Sequence, residues 1–208
     1  MNTEQQPDPS DTEVPSQPVL PRRRVGLLAL VAVLAYAVDL VTKVVVTATL
    51  EGEEPIRLLG GAVYFQLLRN PYAAFGMDIG GTWILTAVAT AVVIGIVWFA
   101  RRLRSAGWAV GLGLVLAGAL GNLTDRIFRA PEAFQGHVVD FISVFAPNGE
   151  FFPVFNAADS AITIGAGLIV LLTLLGRDYD GSMIPRGKQS KETGSDEQDT
   201  DGKGRADA

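Results

Sequence analysis

The chain has 208 residues, 49% of them hydrophobic and 19% charged, with a net charge of −5, no cysteine and a single histidine, His137. These counts exclude a disulfide framework, a thiol nucleophile and a His/Cys zinc cage. The bases form no stripe interleaved with aromatics, which speaks against nucleic-acid binding.

Of 22 acids and 17 bases, residues 25–176 hold only ten and eight; that middle is too apolar for a soluble domain. Residues 1–24 read as a disordered polar tail ending in Arg22, Arg23 and Arg24. A first apolar run covers 25–49, broken only by Asp39 and Lys43. Its basic start and Ala35-Tyr36-Ala37 mimic a secretory signal and cleavage site. The acidic leader and the apolar sequence past Ala37 favour a retained span instead. Residues 56–68 (IRLLGGAVYFQLL) predict a small extracytoplasmic sheet or hairpin around Gly60-Gly61. Further apolar runs cover 83–100, 108–123 and 155–175. Each of the four approaches the length a helix needs to cross about 30 Å of hydrocarbon at roughly 1.5 Å per residue. The glycines of the third (Gly107, Gly111, Gly113, Gly118 and Gly121) read as close helix packing. The loop 129–155 carries Phe134, Phe141, Phe145, Phe151 and Phe152, and is expected against the membrane surface as a flap. Residues 177–208 read as a second disordered tail.

Orientation follows from the bases. Arg22 to Arg24, then Arg101, Arg102 and Arg104, then Arg177, Arg186, Lys188 and Lys191 all fall on one side of the four spans. The positive-inside rule places both termini in the cytoplasm and the loops 50–82 and 124–154 outside. The expected architecture is an all-α membrane protein: four transmembrane helices, a small extracytoplasmic β-cradle and an interfacial loop or helix flap. The membrane unit is residues 25–176.

Ionisable groups inside spans cost about 2.5–3.5 kcal/mol each on insertion scales, so each is a functional candidate. Asp39 lies about 21 Å and Lys43 about 27 Å along the first span, in its outer half. The third span ends with Asn122, Asp125 and Arg126; the fourth begins with Asn156 and Asp159; Asp140 lies between them. The polar groups converge on one level. Asn122/Asp125 and Asn156/Asp159 are i,i+3 pairs and Asp39/Lys43 an i,i+4 pair; helix packing and charge cancellation would explain these equally well. Asp125 beside Arg126 reads as an ion pair tying a helix end to the loop. Asp159 has no base within a turn. Asp140, in Val138-Val139-Asp140-Phe141, is expected to have its pKa raised by desolvation. Two such carboxyls together suit an aspartyl protease, one ionised to take a proton from water and one protonated to polarise a carbonyl. A carboxylate-based transporter fits the spacing nearly as well. Ser143, Ser160 and His137 lack the partners of a nucleophilic site.

At these residues the chain resembles lipoprotein signal peptidase (signal peptidase II). The matching blocks are Asp39…Thr42-Lys43, Arg69-Asn70…Ala73-Ala74-Phe75, Gly118-Ala119-Leu120-Gly121-Asn122-Leu123-Thr124-Asp125-Arg126, Val138-Val139-Asp140-Phe141 and Phe155-Asn156-Ala157-Ala158-Asp159-Ser160. The resemblance implies a membrane aspartyl endopeptidase that cleaves prolipoproteins just before a diacylglyceryl-modified cysteine, at the outer leaflet of a bacterial cell membrane; a single four-helix unit could carry the whole site, so a monomer is expected. By the same resemblance, Asp140 and Asp159 are the catalytic pair. Asp39, Lys43, Asn70, Asn122, Asp125, Arg126 and Asn156 support them, and no metal or organic cofactor is expected. The sequence departs from the family pattern at Pro71-Tyr72, where Gly is usual in place of Tyr72, and at Leu40. It also carries a longer segment between Arg126 and Asp140.

Overall fold

The computed structural model describes residues 22–72 and 82–183. Four helices, each long and apolar enough to cross a membrane, form the body: α1 (Val25–Leu50), α2 (Thr82–Phe99), α3 (Ala106–Phe128) and α4 (Ala157–Leu174). On α1, Leu28, Ala32, Asp39, Lys43, Val46 and Leu50 are buried, a stripe at helical spacing. Leu30, Val33, Leu34, Val41, Val44 and Val45 are exposed on its other faces; with no water to bury them from, they are the lipid-facing surface of a membrane helix. The helix runs unbroken through Ala35-Tyr36-Ala37.

Helix α3 is the central one: half of its span is buried, against 17% for each of the others. Small residues make this possible. A Cβ on Gly118 would lie 2.3 Å from the Ala158 carbonyl oxygen of α4, and one on Gly165 would lie 2.6 Å from the Gly111 carbonyl. The α3 and α4 backbones therefore meet almost directly, as the glycine pattern predicts. The third span is longer than the apolar run, reaching Phe128 rather than 123, so Asn122 and Asp125 are helical.

Three antiparallel strands, β1 (Ile56–Leu58), β2 (Val63–Asn70) and β3 (Val138–Val144), pair in the order β1-β2-β3. The β1–β2 hairpin confirms the turn expected at Gly60-Gly61. Register runs Val63↔Val144 to Phe65↔Ile142, then Leu68↔Asp140 to Asn70↔Val138, with one extra residue in β2 between Phe65 and Leu68. A one-residue offset reverses which way the following side chains point; this bulge is what turns Asn70 toward Asp140.

The structure differs from expectation within the loop 129–155, read as a flap. Its middle is β3, with Val138 to Phe141 buried. Phe141 and Val139 pack with Val46 and Leu50 of α1, so Phe141 is core. Phe134, Phe145, Phe151 and Phe152 are exposed, as an interfacial segment requires. Residues 177–183, assigned to the tail by composition, pack on the far end of the bundle. Tyr179 stacks edge-on against Phe99 and Trp108, and its carbonyl accepts from the Arg104 and Ser105 amides.

Gly118→Ala forces α3 and α4 apart and is expected to destabilise by about 1–3 kcal/mol. Gly167→Ala, where nothing lies within 4 Å, leaves stability unchanged. Thermal unfolding in detergent, run on both, checks the contrast.

Candidate active site

The nine residues singled out in the sequence meet at the sheet end of the bundle. Lys43 of α1, 1% exposed, is the hub. Its ammonium forms ion pairs with Asp39 Oδ2 at 2.9 Å and Asp125 Oδ2 at 2.8 Å, and donates a hydrogen bond to Asn122 Oδ1 at 3.1 Å. Asp125 is also paired with Arg129 and accepts from the Val139 amide at 3.2 Å. Asp39 turns its other oxygen to the Ala158 amide at 2.8 Å, in the first turn of α4, where a carboxylate complements the helix dipole.

From the hub a chain of amides leads to two carboxyls. Asn122 Nδ2 donates to Asp159 Oδ1 at 2.8 Å. Asn156 Nδ2 donates both to Asn122 Oδ1 at 3.2 Å and to Asp140 Oδ1 at 2.6 Å. Asn70 Nδ2 donates to Asp140 Oδ2 at 2.8 Å. Asn156 is also the N-cap of α4. Its side-chain oxygen accepts from the Asp159 amide at 2.9 Å, and its own amide donates to Asp159 Oδ2 at 3.1 Å, a capping box. One residue therefore holds both carboxyls. Asp140 is buried on β3, and Asp159 is half-buried on α4.

Burial pushes the Asp140 pKa up to about 7, and the negative charge of Asp159 adds to the rise; the Asn70 and Asn156 amides oppose it. Such a carboxyl holds a proton near neutrality beside a second carboxyl. The arrangement can activate a water molecule and donate a proton to a carbonyl.

The expected Asp125–Arg126 ion pair does not form. Neighbours on a helix point about 100° apart, whereas residues four apart share a face, so Asp125 takes Arg129 instead. Arg126 turns the other way: its Nη2 donates to the Tyr72 carbonyl at 3.1 Å, and its Nη1 is buried with no hydrogen-bond partner among the described residues. It remains within electrostatic reach of Asp140 and Asp159. Arg129 went unnoticed in the sequence, although its i,i+4 spacing from Asp125 was available. The Ala158 and Val139 amides carry no sequence signal. The Ala73-Ala74-Phe75 part of the resemblance lies outside the described residues. Among those described, no group of three or more His, Cys, Asp or Glu side chains is arranged to hold a metal ion.

Fold and site define a multi-pass membrane protein whose polar centre, enclosed between helices and a small sheet, presents two hydrogen-bonded carboxyls. The family model of signal peptidase (SPase) II matches residues 31–175. The chain is 54% identical over 175 residues to the lipoprotein signal peptidase of Rhodococcus jostii, covering 84% of this chain and 85% of that one. It is 50% identical over 172 residues to that of Mycolicibacterium smegmatis, covering 83% and 70%. A solved bacterial membrane enzyme, determined by the in meso method at 1.9 Å, superposes with a TM-score of 0.63 at 30% identity, over 75% of this chain and 97% of that one. The chain belongs to the signal peptidase II family and is a membrane peptidase of bacterial type.

Removing the hub cation leaves Asp39 and Asp125 buried without it. Lys43→Met is expected to cost about 3–5 kcal/mol, as loss of one partner from a buried ion pair does. The Glu51–Arg69 pair, with 58% and 37% exposed side chains, serves as control: Glu51→Gln changes stability by less than about 1 kcal/mol. Thermal unfolding in detergent separates the two.

Proposed function

We propose that the chain removes signal peptides from prolipoproteins, cutting just before the diacylglyceryl-modified cysteine, with Asp140 and Asp159 as the catalytic pair. The observation that carries this reading is the shared anchorage of the two carboxyls on Asn156, with Asp140 raised to about 7 beside Asp159. The relatives, lipoprotein signal peptidases by name, supply the substrate class.

The mechanism needs one carboxyl of the pair ionised and the other protonated. The ionised carboxyl takes a proton from water, and the oxygen of that water attacks the scissile carbonyl carbon. The protonated carboxyl gives its proton to the carbonyl oxygen, forming a tetrahedral diol. Collapse of the diol breaks the C–N bond, and a carboxyl proton goes to the departing amine. The Nη1 of Arg126, without a hydrogen-bond partner among the described residues, supports a role in binding substrate carbonyls near the pair. Asn70, Asn122 and Asn156 orient the carboxyls, while Asp39, Lys43 and Asp125 hold those amides in place.

The catalytic unit is residues 25–176, acting as a monomer. Both termini lie in the cytoplasm, since Arg22 to Arg24 and Arg101, Arg102 and Arg104 share one side. The site then lies at the outer leaflet, level with the lipid anchor of the substrate.

The test is cleavage of a diacylglyceryl-modified prolipoprotein, followed by gel shift. Asp140→Asn and Asp159→Asn are each expected to lower the rate by at least about 10²–10⁴-fold while the protein stays folded. Activity surviving either change would sink the assignment.

The pH dependence follows from the raised Asp140 value. Raising the pH through about 7 strips the proton from Asp140, the group that would polarise the carbonyl, so kcat/KM falls on the alkaline side. Asp159→Asn removes the neighbouring charge, so the Asp140 carboxyl must titrate lower than in the wild type. Infrared titration of the carboxyl stretch reads this directly, and an unmoved titration would contradict the coupling.

A further inference from the structure

The segment between α3 and β3 is a closed loop, 129–137, built on the site at both ends. The Gly136 amide donates to the Arg126 carbonyl at 2.9 Å, and the His137 amide to the Ala130 carbonyl at 2.9 Å. A Cβ on Gly136 would sit 2.3 Å from the Asp125 carbonyl oxygen and 2.7 Å from that of Arg129, so the loop is pressed onto the end of α3. Arg129 starts it and is paired with Asp125. Three residues beyond its end stands Asp140.

The loop displays its apolar groups outward. Phe134 is 56% exposed and sits at φ +67°, the left-handed region that a bulky side chain rarely adopts. Its carbonyl is fixed by a buried partner, Thr86 of α2, whose hydroxyl donates at 2.8 Å. Phe128, the last residue of α3, is 80% exposed. Thr86 stands one turn inside the sheet end of α2, and Phe128 about 33 Å of rise from the start of α3. Both phenylalanines therefore stand at the edge of the hydrocarbon layer, on the segment that joins Arg126 to Asp140. A strained aromatic, locked by its own carbonyl and 56% exposed, fits a ligand contact better than a fold determinant.

We propose that Phe134, clamped by Thr86, is an acyl-chain contact for the lipid-modified substrate, and so a specificity element on the α2–α3 side of the site. The inference rests on the proposed substrate class. The continuity of the loop with Arg126 and Asp140 favours the substrate's own lipid over bulk phospholipid. A rigid aromatic there offers the chains nearest the scissile bond an apolar wall at little cost in ordering.

The experiment uses the full-length chain and two prolipoproteins that differ only in having long or short acyl chains. Phe134→Gly suits the backbone, because φ +67° is open to glycine; the thermal midpoint is expected not to fall. KM for the long-chain substrate is expected to rise about tenfold, the scale of one lost apolar contact, with kcat and short-chain cleavage unchanged. Thr86→Val, which frees the loop, moves KM the same way by less. Equal losses on both substrates, a loss confined to kcat, or no change would each overturn the proposal. A second readout needs no turnover. With Phe134→p-benzoylphenylalanine in an Asp140→Asn background, photolysis is expected to crosslink the substrate lipid; capture of bulk phospholipid alone overturns the proposal. Failure of the substrate class would appear separately, as wild-type protein that cuts neither prolipoprotein.

Discussion

A lysine ammonium enclosed by protein must find an oxygen for each of its three N–H groups, because it has no acceptor to offer and no water to turn to. Lys43 answers this demand with ion pairs to Asp39 and Asp125 and a hydrogen bond to Asn122. The choice propagates. Since the ammonium only donates, Asn122 must show it the carbonyl oxygen, and the Asn122 amide nitrogen is turned to Asp159. That same oxygen takes a second donor from Asn156, whose remaining N–H is then directed to Asp140. The hydrogen-bond direction of the whole site is thus set by one buried positive charge, and neither asparagine can flip without placing donor against donor.

The chain of polar contacts also depends on backbone proximity. Asp39 reaches the first turn of α4 only because α3, standing between, has no side chain at Gly121: a Cβ there would lie 2.3 Å from Asp39 Oδ2. The bare Gly118 lets the Ala158 carbonyl approach from the other side. Small residues in membrane helices are usually counted as packing devices. Here they also make room for a carboxylate, joining three helices through one polar centre.

Much of this was legible in the sequence, and the limits are physical. Four apolar runs sufficed for the spans because the bilayer sets a length, and the β1–β2 hairpin followed from Gly60-Gly61 between apolar stretches. The charged residues inside spans pointed to the site because each is costly where it stands. The reading weakened where aromatics had two explanations. Phe141 and Phe145 look alike in sequence, yet one packs against Val46 and Leu50 and the other is exposed; strand pairing with β2 decides, and pairing is non-local. Adjacency misled at Asp125-Arg126, where helix geometry sends neighbours apart and Arg129 takes the contact. The β2 bulge that aims Asn70 has no signature in Phe65-Gln66-Leu67-Leu68, and backbone donors such as Ala158 and Val139 have none anywhere.

The two carboxyls of the proposed pair come from unlike supports, and the difference is useful. Asp140 rides on a strand, enclosed by neighbours, and accepts from the side-chain amides of Asn70 and Asn156. Asp159 stands in the first turn of a helix, half-buried, and shares a capping box with Asn156. A strand and a helix end are independent pieces of scaffold, free to drift by tenths of an ångström. Asn156 removes that freedom by being both the cap of α4 and the donor to Asp140, so the start of the helix cannot shift without pulling on the strand carboxyl. Folding of the α4 terminus and alignment of the pair are therefore one event. For a reaction that needs two oxygens held either side of one water molecule, that linkage supplies the preorganisation.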